Sequence, residues 1–283
     1  MTLPVILIPV GVDEVALDAT LAALEATTPA GTSVWLGDDA QGGPRVQQVI
    51  EHWRSHTHLQ AAYTRRERPV GPVAHVDEML RACGNTDVVV LAADAVPLPG
   101  WLQQLTTCFA RDAAIATATP WCNAGETVAW PRAFEINPLP GDTAQLASAC
   151  AAMPPLYQEL PSALPHAVLL RGSARAKVGG LDIHSYGSWY AALVDLSLRM
   201  SGMGWRNVLC ETAFVGCADE GRPADGDLDA LAARWPAWPP RLASFLMGDT
   251  LRQPRAQLQE LFDHPIMPLP QADLFAPAEA IAP

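Results

Sequence analysis

The sequence predicts an α/β fold, a mostly parallel sheet flanked by helices, and three observations carry that prediction. Short runs of β-branched and aliphatic residues recur along the chain, each too short for a helix. Between them lie stretches whose apolar residues repeat at helical spacing. The two patterns alternate, as parallel strands joined by helical crossovers require. With 283 residues, 49% of them hydrophobic, the chain has material for one large core or two modest ones.

The first strand is read at residues 5–10, VILIPV. DEVALDATLAALEATT (13–28) follows as a helix, with Leu17, Leu21 and Leu24 on one face. TSVWLG (32–37) is the second strand and ends at the acid pair Asp38 and Asp39. PRVQQVIEHWRS (44–55) opens on a proline suited to a first turn and carries Val46, Val49, Ile50 and Trp53 at helical spacing. LQAAYTRR (59–66) is a short strand, PVAHVDEMLRAC (72–83) a helix, and VVVL (88–91) the next strand. That strand gives out at Asp94, and Pro97, Pro99 and Gly100 then turn the chain.

Beyond residue 110 the pattern loosens. AAIATATPWCN (113–123) reads as a strand leaving into a loop, and 120–165 as an irregular connection with one helix near 142–153. HAVLLRG (166–172) is a strand, SARAKVGG (173–180) a short helix with a glycine stop, and YAALVDLSLRMSG (190–202) a stronger helix. A strand at 205–217 precedes helices over 228–262 that break at WPAWPPR (235–241). The Pro- and Ala-rich 265–283 reads as a loose tail. The implied division is one domain at 1–218 and a helical extension at 219–264.

Charge and cysteine usage bound the function. Lys and Arg number 18 against 30 Asp and Glu, a net charge of -12, which disfavours nucleic acid or an anionic membrane as partner. The basic cluster Arg65 to Arg68 is either a solvated loop or a neighbour of phosphate. The six cysteines show no CxxC spacing, so neither a zinc ribbon nor a redox pair is indicated. Free thiols fit a reducing cytoplasm, and the first residues lack a signal peptide's basic start and meet Asp13 too soon for a membrane span.

Ligands of open α/β sheets bind at the carboxyl ends of the strands, where Asp38, Asp39 and Asp94 all fall. Each alone is a common turn or cap residue. Together they suit a divalent cation and a nucleotide, because hard cations take carboxylate oxygens and keep phosphates as further ligands.

VILIPV with its following acid pair, RRERPVG, VVVLAADAVPLPGWL, ATATPWCN, WPRAFEINPLP, VLLRGSARAKVGGLD and VDLSLRMSGMGWRNVL run in an order that resembles bacterial glycosyltransferases of family 2. The resemblance spans roughly residues 3–262 and implies a nucleotide-binding half at 1–110 and an acceptor half at 111–218. It implies a GT-A fold and transfer of a sugar from a nucleotide diphosphate to a glycan or glycoprotein, inverting and metal-dependent, in O-antigen or other surface polysaccharide pathways or in protein glycosylation. On this resemblance Pro9, Asp38, Asp39, Arg68 and Gly71 line the nucleotide pocket, and Asp94 is the last acid of the metal motif, holding Mg²⁺ or Mn²⁺ against the diphosphate.

The chain also departs from that pattern. Ala92 stands at the first position of the metal motif, and Ala192 and Leu193 replace the acid pair that supplies the base. Asp195 lies two residues further on, about 200° around a helix. It is a candidate base or a structural acid, with Asp182 and His184 as alternatives and Glu126 and Glu135 as acids of the irregular segment. Cys217 replaces a histidine that reaches the metal or diphosphate in relatives; a soft thiol suits Mn²⁺ or Zn²⁺ better than Mg²⁺, and it equally suits a small buried hydrophobe. Tyr186, Trp189 and Tyr190 are placed to stack on a sugar or to pack. Two functions therefore compete: an active transferase, or a degenerate member that binds or scaffolds a partner glycosyltransferase. A nucleotidyltransferase would want a glycine-rich loop after the first strand, which PVGVDEV lacks.

Overall fold

The computed structural model describes residues 3–265. Strand β1 (Val5–Pro9), helix α1 (Glu14–Thr27), β2 (Ser33–Asp38), α2 (Pro44–Arg54), β3 (Gln60–Arg65), α3 (Pro72–Ala82) and β4 (Val88–Leu91) alternate as the sequence pattern predicts. Asp13 caps α1, accepting from the Val15 and Ala16 amides at 3.0 Å, a bond pair worth about 1 kcal/mol. Leu17, Leu21 and Leu24 are buried beneath that helix. Each contributes roughly 1.5–3 kcal/mol of burial.

A short β5 (Val96–Pro97) leads into α4 (Trp101–Arg111), to which the sequence reading gives no element. The Pro97, Pro99 and Gly100 cluster reads as a stop, yet Gly100, with φ of 79°, is also the residue from which the helix starts. Trp101, Leu102, Leu105 and Phe109 then pack inward. The chain continues through β6 (Ile115–Trp121), the hairpin β7 (Ala124–Gly125) and β8 (Glu135–Ile136), α5 (Thr143–Ala151), β9 (Ala167–Leu170), α6 (Gly172–Val178), α7 (Trp189–Gly202) and β10 (Arg206–Gly216).

Eight strands form one sheet in the order β3-β2-β1-β4-β9-β6-β10-β5. Parallel pairing joins β1 to β2 and β4, β2 to β3, and β6 to β10. Between β4 and β6 lies β9, antiparallel to both. Because the central strands are covered on both faces, VVVL of β4 is buried along its whole length. One face packs on α1, α2 and α4, the other on α3, α6 and α7.

Three helices close the described chain: α8 (Asp227–Arg234), α9 (Trp238–Met247) and α10 (Arg252–Asp263). Pro239 and Pro240 sit in the first turn of α9, where a missing amide costs no hydrogen bond. The last helix is tied to the irregular segment: Arg255 Nε donates to the Ala129 carbonyl at 2.8 Å, and Phe262 meets Trp130 edge-on at 5.4 Å. Of the tail read at 265–283, all but Pro265 lies outside the described residues. Among the described residues no helix is long and apolar enough to cross a membrane.

Candidate functional site

Pro9 ends β1 opposite Gly37 of β2, so the first two strand ends lie side by side. Asp38 is fully buried and accepts from the Gln41 amide at 2.9 Å, the Gly42 amide at 3.0 Å, Tyr63 Oη at 3.0 Å and Arg65 at 3.3 Å. These bonds fix the turn that leads into α2. Asp39 accepts from the Val70 amide at 2.9 Å and the Gly71 amide at 2.8 Å. Its carboxylate thus clamps the 66–71 loop over the end of β2, with Arg68 exposed on that loop. Gly71, at φ of 93°, supplies the left-handed turn before Pro72 opens α3. The structure brings these five residues to one edge of the sheet, with Asp38 and Asp39 shaping the loops through their own carboxylates.

Asp94 stands at the neighbouring strand end. The β1 exit adjoins it, since a side chain at Gly11 would touch Ala93 Cβ at 3.9 Å. A cleft of about 180 Å³ opens there, lined by Ala92, Asp94, His166, Trp189, Tyr190, Asp219 and Arg222 among others. Burial pushes the Asp94 carboxyl up, the Ala218 amide opposes this, and the charges of Asp219 and Asp13 push it further up. Like charges converging on a half-buried acid mark a place where a cation lowers the energy.

A divalent ion fits this donor set. Asp94 and Asp219 offer hard carboxylate oxygens, and an ion that also binds nucleotide phosphates needs only one or two from the protein. Among the described residues no three His, Cys, Asp or Glu side chains form a ready-made cage. Asp219 also pairs with Arg222 at 3.2 Å.

Cys217 has different surroundings from Asp219. Its amide donates to Asn123 Oδ1 at 2.8 Å, its Sγ lies 3.9 Å from the Ala124 carbonyl, and it is buried in the cluster that includes Cys122. Asp219, two residues later, is the side chain of this stretch that reaches the cleft. The sequence reading missed it because it followed the position of the family's histidine rather than the acid downstream.

Helix α7 carries no acid into the cleft. Ala192 and Leu193 are fully buried in the core. Asp195, 0% exposed, accepts from Arg199 Nε at 2.8 Å, Trp235 Nε1 at 2.9 Å and Tyr186 Oη at 3.4 Å, and pairs with Arg234 at 3.2 Å. Four donors around one carboxylate knit α7 to α8 and leave no free oxygen for an acceptor hydroxyl. Asp195→Ala is expected to destabilise the fold by about 3–5 kcal/mol, because Arg199 would remain largely buried without its acid. A urea melt measures it, and a loss under 1 kcal/mol would refute the structural role. Asp182 caps the 182–185 turn and pairs with Arg234 at 2.7 Å, while His184 is exposed beside it.

The cleft over Asp94 shares Tyr190, Asp219, Gly221 and Arg222 with a larger groove of about 600 Å³. Its walls include Glu126, Glu135, Phe134 and Ile136 from the β7–β8 region and Glu220 beside Asp219. Glu220 is pushed up by burial but is held by the Glu126, Thr127 and Val128 amides at 2.8–3.2 Å. Gly125 makes room for it: a Cβ there would lie 2.0 Å from the Glu220 side chain. Burial and the charges of Glu220 and Glu126 push the Tyr190 phenol up to about 12, so it remains a donor at neutral pH. Trp189 and Tyr190 reach the cleft, whereas Tyr186 is buried against Asp195.

Strand order, the antiparallel β9 and acids gathered at the strand ends define a GT-A type α/β scaffold. The profile described as Glycosyl transferase family 2 matches residues 5–158, and the chain belongs to that family. No curated protein sequence matches it. A mannosyltransferase from Pyrobaculum calidifontis, solved with GDP-Man and Mn²⁺, superposes with a TM-score of 0.58 at 14% identity over 92% of this chain and 86% of that one. GalNAc-T7, solved with UDP, GalNAc and Mn²⁺, gives a TM-score of 0.61 at 13% identity over 93% of this chain and 56% of its own. TarS of S. aureus, residues 1–349, gives 0.53 at 11% identity over 81% of this chain and 63% of its own. At such identities the likeness is one of fold.

Proposed function

We propose that this chain transfers a sugar from a nucleotide diphosphate donor to a hydroxyl of a glycan or glycoprotein, with inversion, in surface polysaccharide or protein glycosylation. The observation that carries this reading is the convergence of Asp94 and Asp219 in a cleft that opens directly into a larger groove. The smaller cleft is the place for the diphosphate and the larger one for the acceptor. Pro9, Asp38, Asp39, Arg68 and Gly71 form the edge that receives the base and ribose. Asp94 and Asp219 would hold Mg²⁺ or Mn²⁺, which neutralises charge on the leaving diphosphate when bound. Cys217 contributes packing rather than a ligand.

The base is Glu126. Of the acids in the groove, Glu135 pairs with Arg132 at 3.0 Å, Asp219 with Arg222, and Glu220 is held by three amides. Among the described residues the Glu126 carboxylate has no hydrogen-bond or salt-bridge partner. Its lone pairs are free for an acceptor proton, and it lines the groove assigned to the acceptor.

A second reading has its own observation. Ala192 and Leu193 are packed into the core, so the helix that supplies the base in relatives is inert here. A member without turnover would bind or scaffold a partner glycosyltransferase. A thermal-shift scan with UDP, dTDP, GDP, CDP and their sugar conjugates, with Mn²⁺, Mg²⁺ or EDTA, tests the donor site that the first reading requires, and a transfer assay with the sugar nucleotide that binds then separates the two. A ligand at 100 times its Kd stabilises by about 2.7 kcal/mol and raises the midpoint by roughly 5 °C or more. No shift with any nucleotide overturns the transferase reading.

A further inference from the structure

The groove that meets the Asp94 cleft at Tyr190 is unusually one-sided in charge. Among the described residues Glu126, Glu135, Asp219 and Glu220 line it, against Arg222 as its one basic residue. Arg132 on the rim answers Glu135 only. The chain as a whole carries a net charge of -12, so the wider field has the same sign.

The uncharged part of the wall is suited to a ring. Phe134 and Ile136, 61% and 71% exposed, stand on the β7–β8 region, and Leu228 and Leu242 lie across from them. Exposed apolar side chains next to carboxylates, with Glu126 unengaged among them, match a saccharide, which offers C–H faces and hydroxyl donors together. In the adjoining cleft over Asp94, His166 is 1% exposed, and among the described residues neither its ring nitrogens nor the buried Trp189 indole nitrogen has a hydrogen-bond partner. Buried polar groups without partners are uncommon in native proteins, and both side chains line the cleft that a ligand would enter.

We infer that the acceptor groove takes an uncharged or amine-bearing saccharide and rejects acceptors that carry phosphate or carboxylate at the reacting end. This rests on the transferase reading above for the word acceptor, and on the groove itself for the selection. Like charges placed side by side across an interface oppose binding and discriminate among ligands of similar shape.

The test is saturation-transfer NMR on the full chain with four probes: p-nitrophenyl glucoside, its 2-amino-2-deoxy analogue, the glucuronide and the 6-phosphate. The glucoside and amino glycoside are expected to bind at least tenfold more tightly than the two anionic probes, with the gap narrowing as salt rises. Glu135→Lys, a change at an exposed position, should raise affinity for the 6-phosphate severalfold. Equal or tighter binding of the anionic probes overturns the inference, as does the absence of binding by any glycoside. The nucleotide scan is read separately: silence there removes the transferase reading, while the glycoside ranking still decides what the groove selects.

Discussion

Asp94→Ala is expected to remove detectable sugar transfer, together with the part of nucleotide binding that depends on Mn²⁺ or Mg²⁺. With Ala92 at the position two residues earlier, Asp94 is the only carboxylate that β4 delivers to the cleft. Asp219 remains in the variant, but one carboxylate tethered to Arg222 is a weaker anchor than two facing each other. Losing a preorganised electrostatic contact to a leaving group typically costs about 10²–10³-fold in rate, and losing the ion itself costs more. The substitution should not unfold the protein, because burial and two neighbouring acids already disfavour the charged Asp94 in the folded state. An unchanged melting point without ligand, combined with loss of the metal-dependent shift, is the expected signature. A variant that keeps both the shift and the turnover would show that the ion, or its need, lies elsewhere.

The strand ends were the most legible part of this molecule. A four-residue apolar strand followed by an acid and a turn cluster is a local pattern, and the rule that ligands bind at carboxyl ends of parallel strands converts it into a candidate site. Alternation carried the first half of the fold for the same reason. Helix α4 escaped because Gly100 both ends one element and starts the next. Asp219 escaped for a different reason: it lies in irregular chain after β10, and its neighbour Glu220 meets Glu126, which the sequence does offer as a candidate base, across 94 residues through the pairing of β6 with β10. No periodicity encodes such a meeting. Asp195 shows the converse. Its sequence neighbourhood invites a catalytic role, while its partners Trp235 and Arg234 come from a helix whose docking the sequence does not reveal.

Glu126→Ala should lower kcat by about 10²–10⁴, the range general-base catalysis contributes, with little change in nucleotide affinity. The two effects separate because Glu126 lines the groove and not the cleft over Asp94. Its backbone amide, which donates to Glu220 at 2.9 Å, is kept in the variant, so the loop geometry survives the loss of the side chain. Added formate is expected to restore part of the rate, since a small carboxylate can enter the space vacated and accept the proton. A residue that merely shaped the loop would show no such rescue. Glu135→Ala provides the contrast, because its carboxylate is engaged with Arg132 and its loss should change acceptor affinity more than kcat. If Glu126→Ala turns over at the parent rate while Asp94→Ala is dead, the proton leaves by another group. If the parent binds a sugar nucleotide and transfers to no acceptor, the buried Ala192 and Leu193 record a family member that has kept its ligand and lost its chemistry.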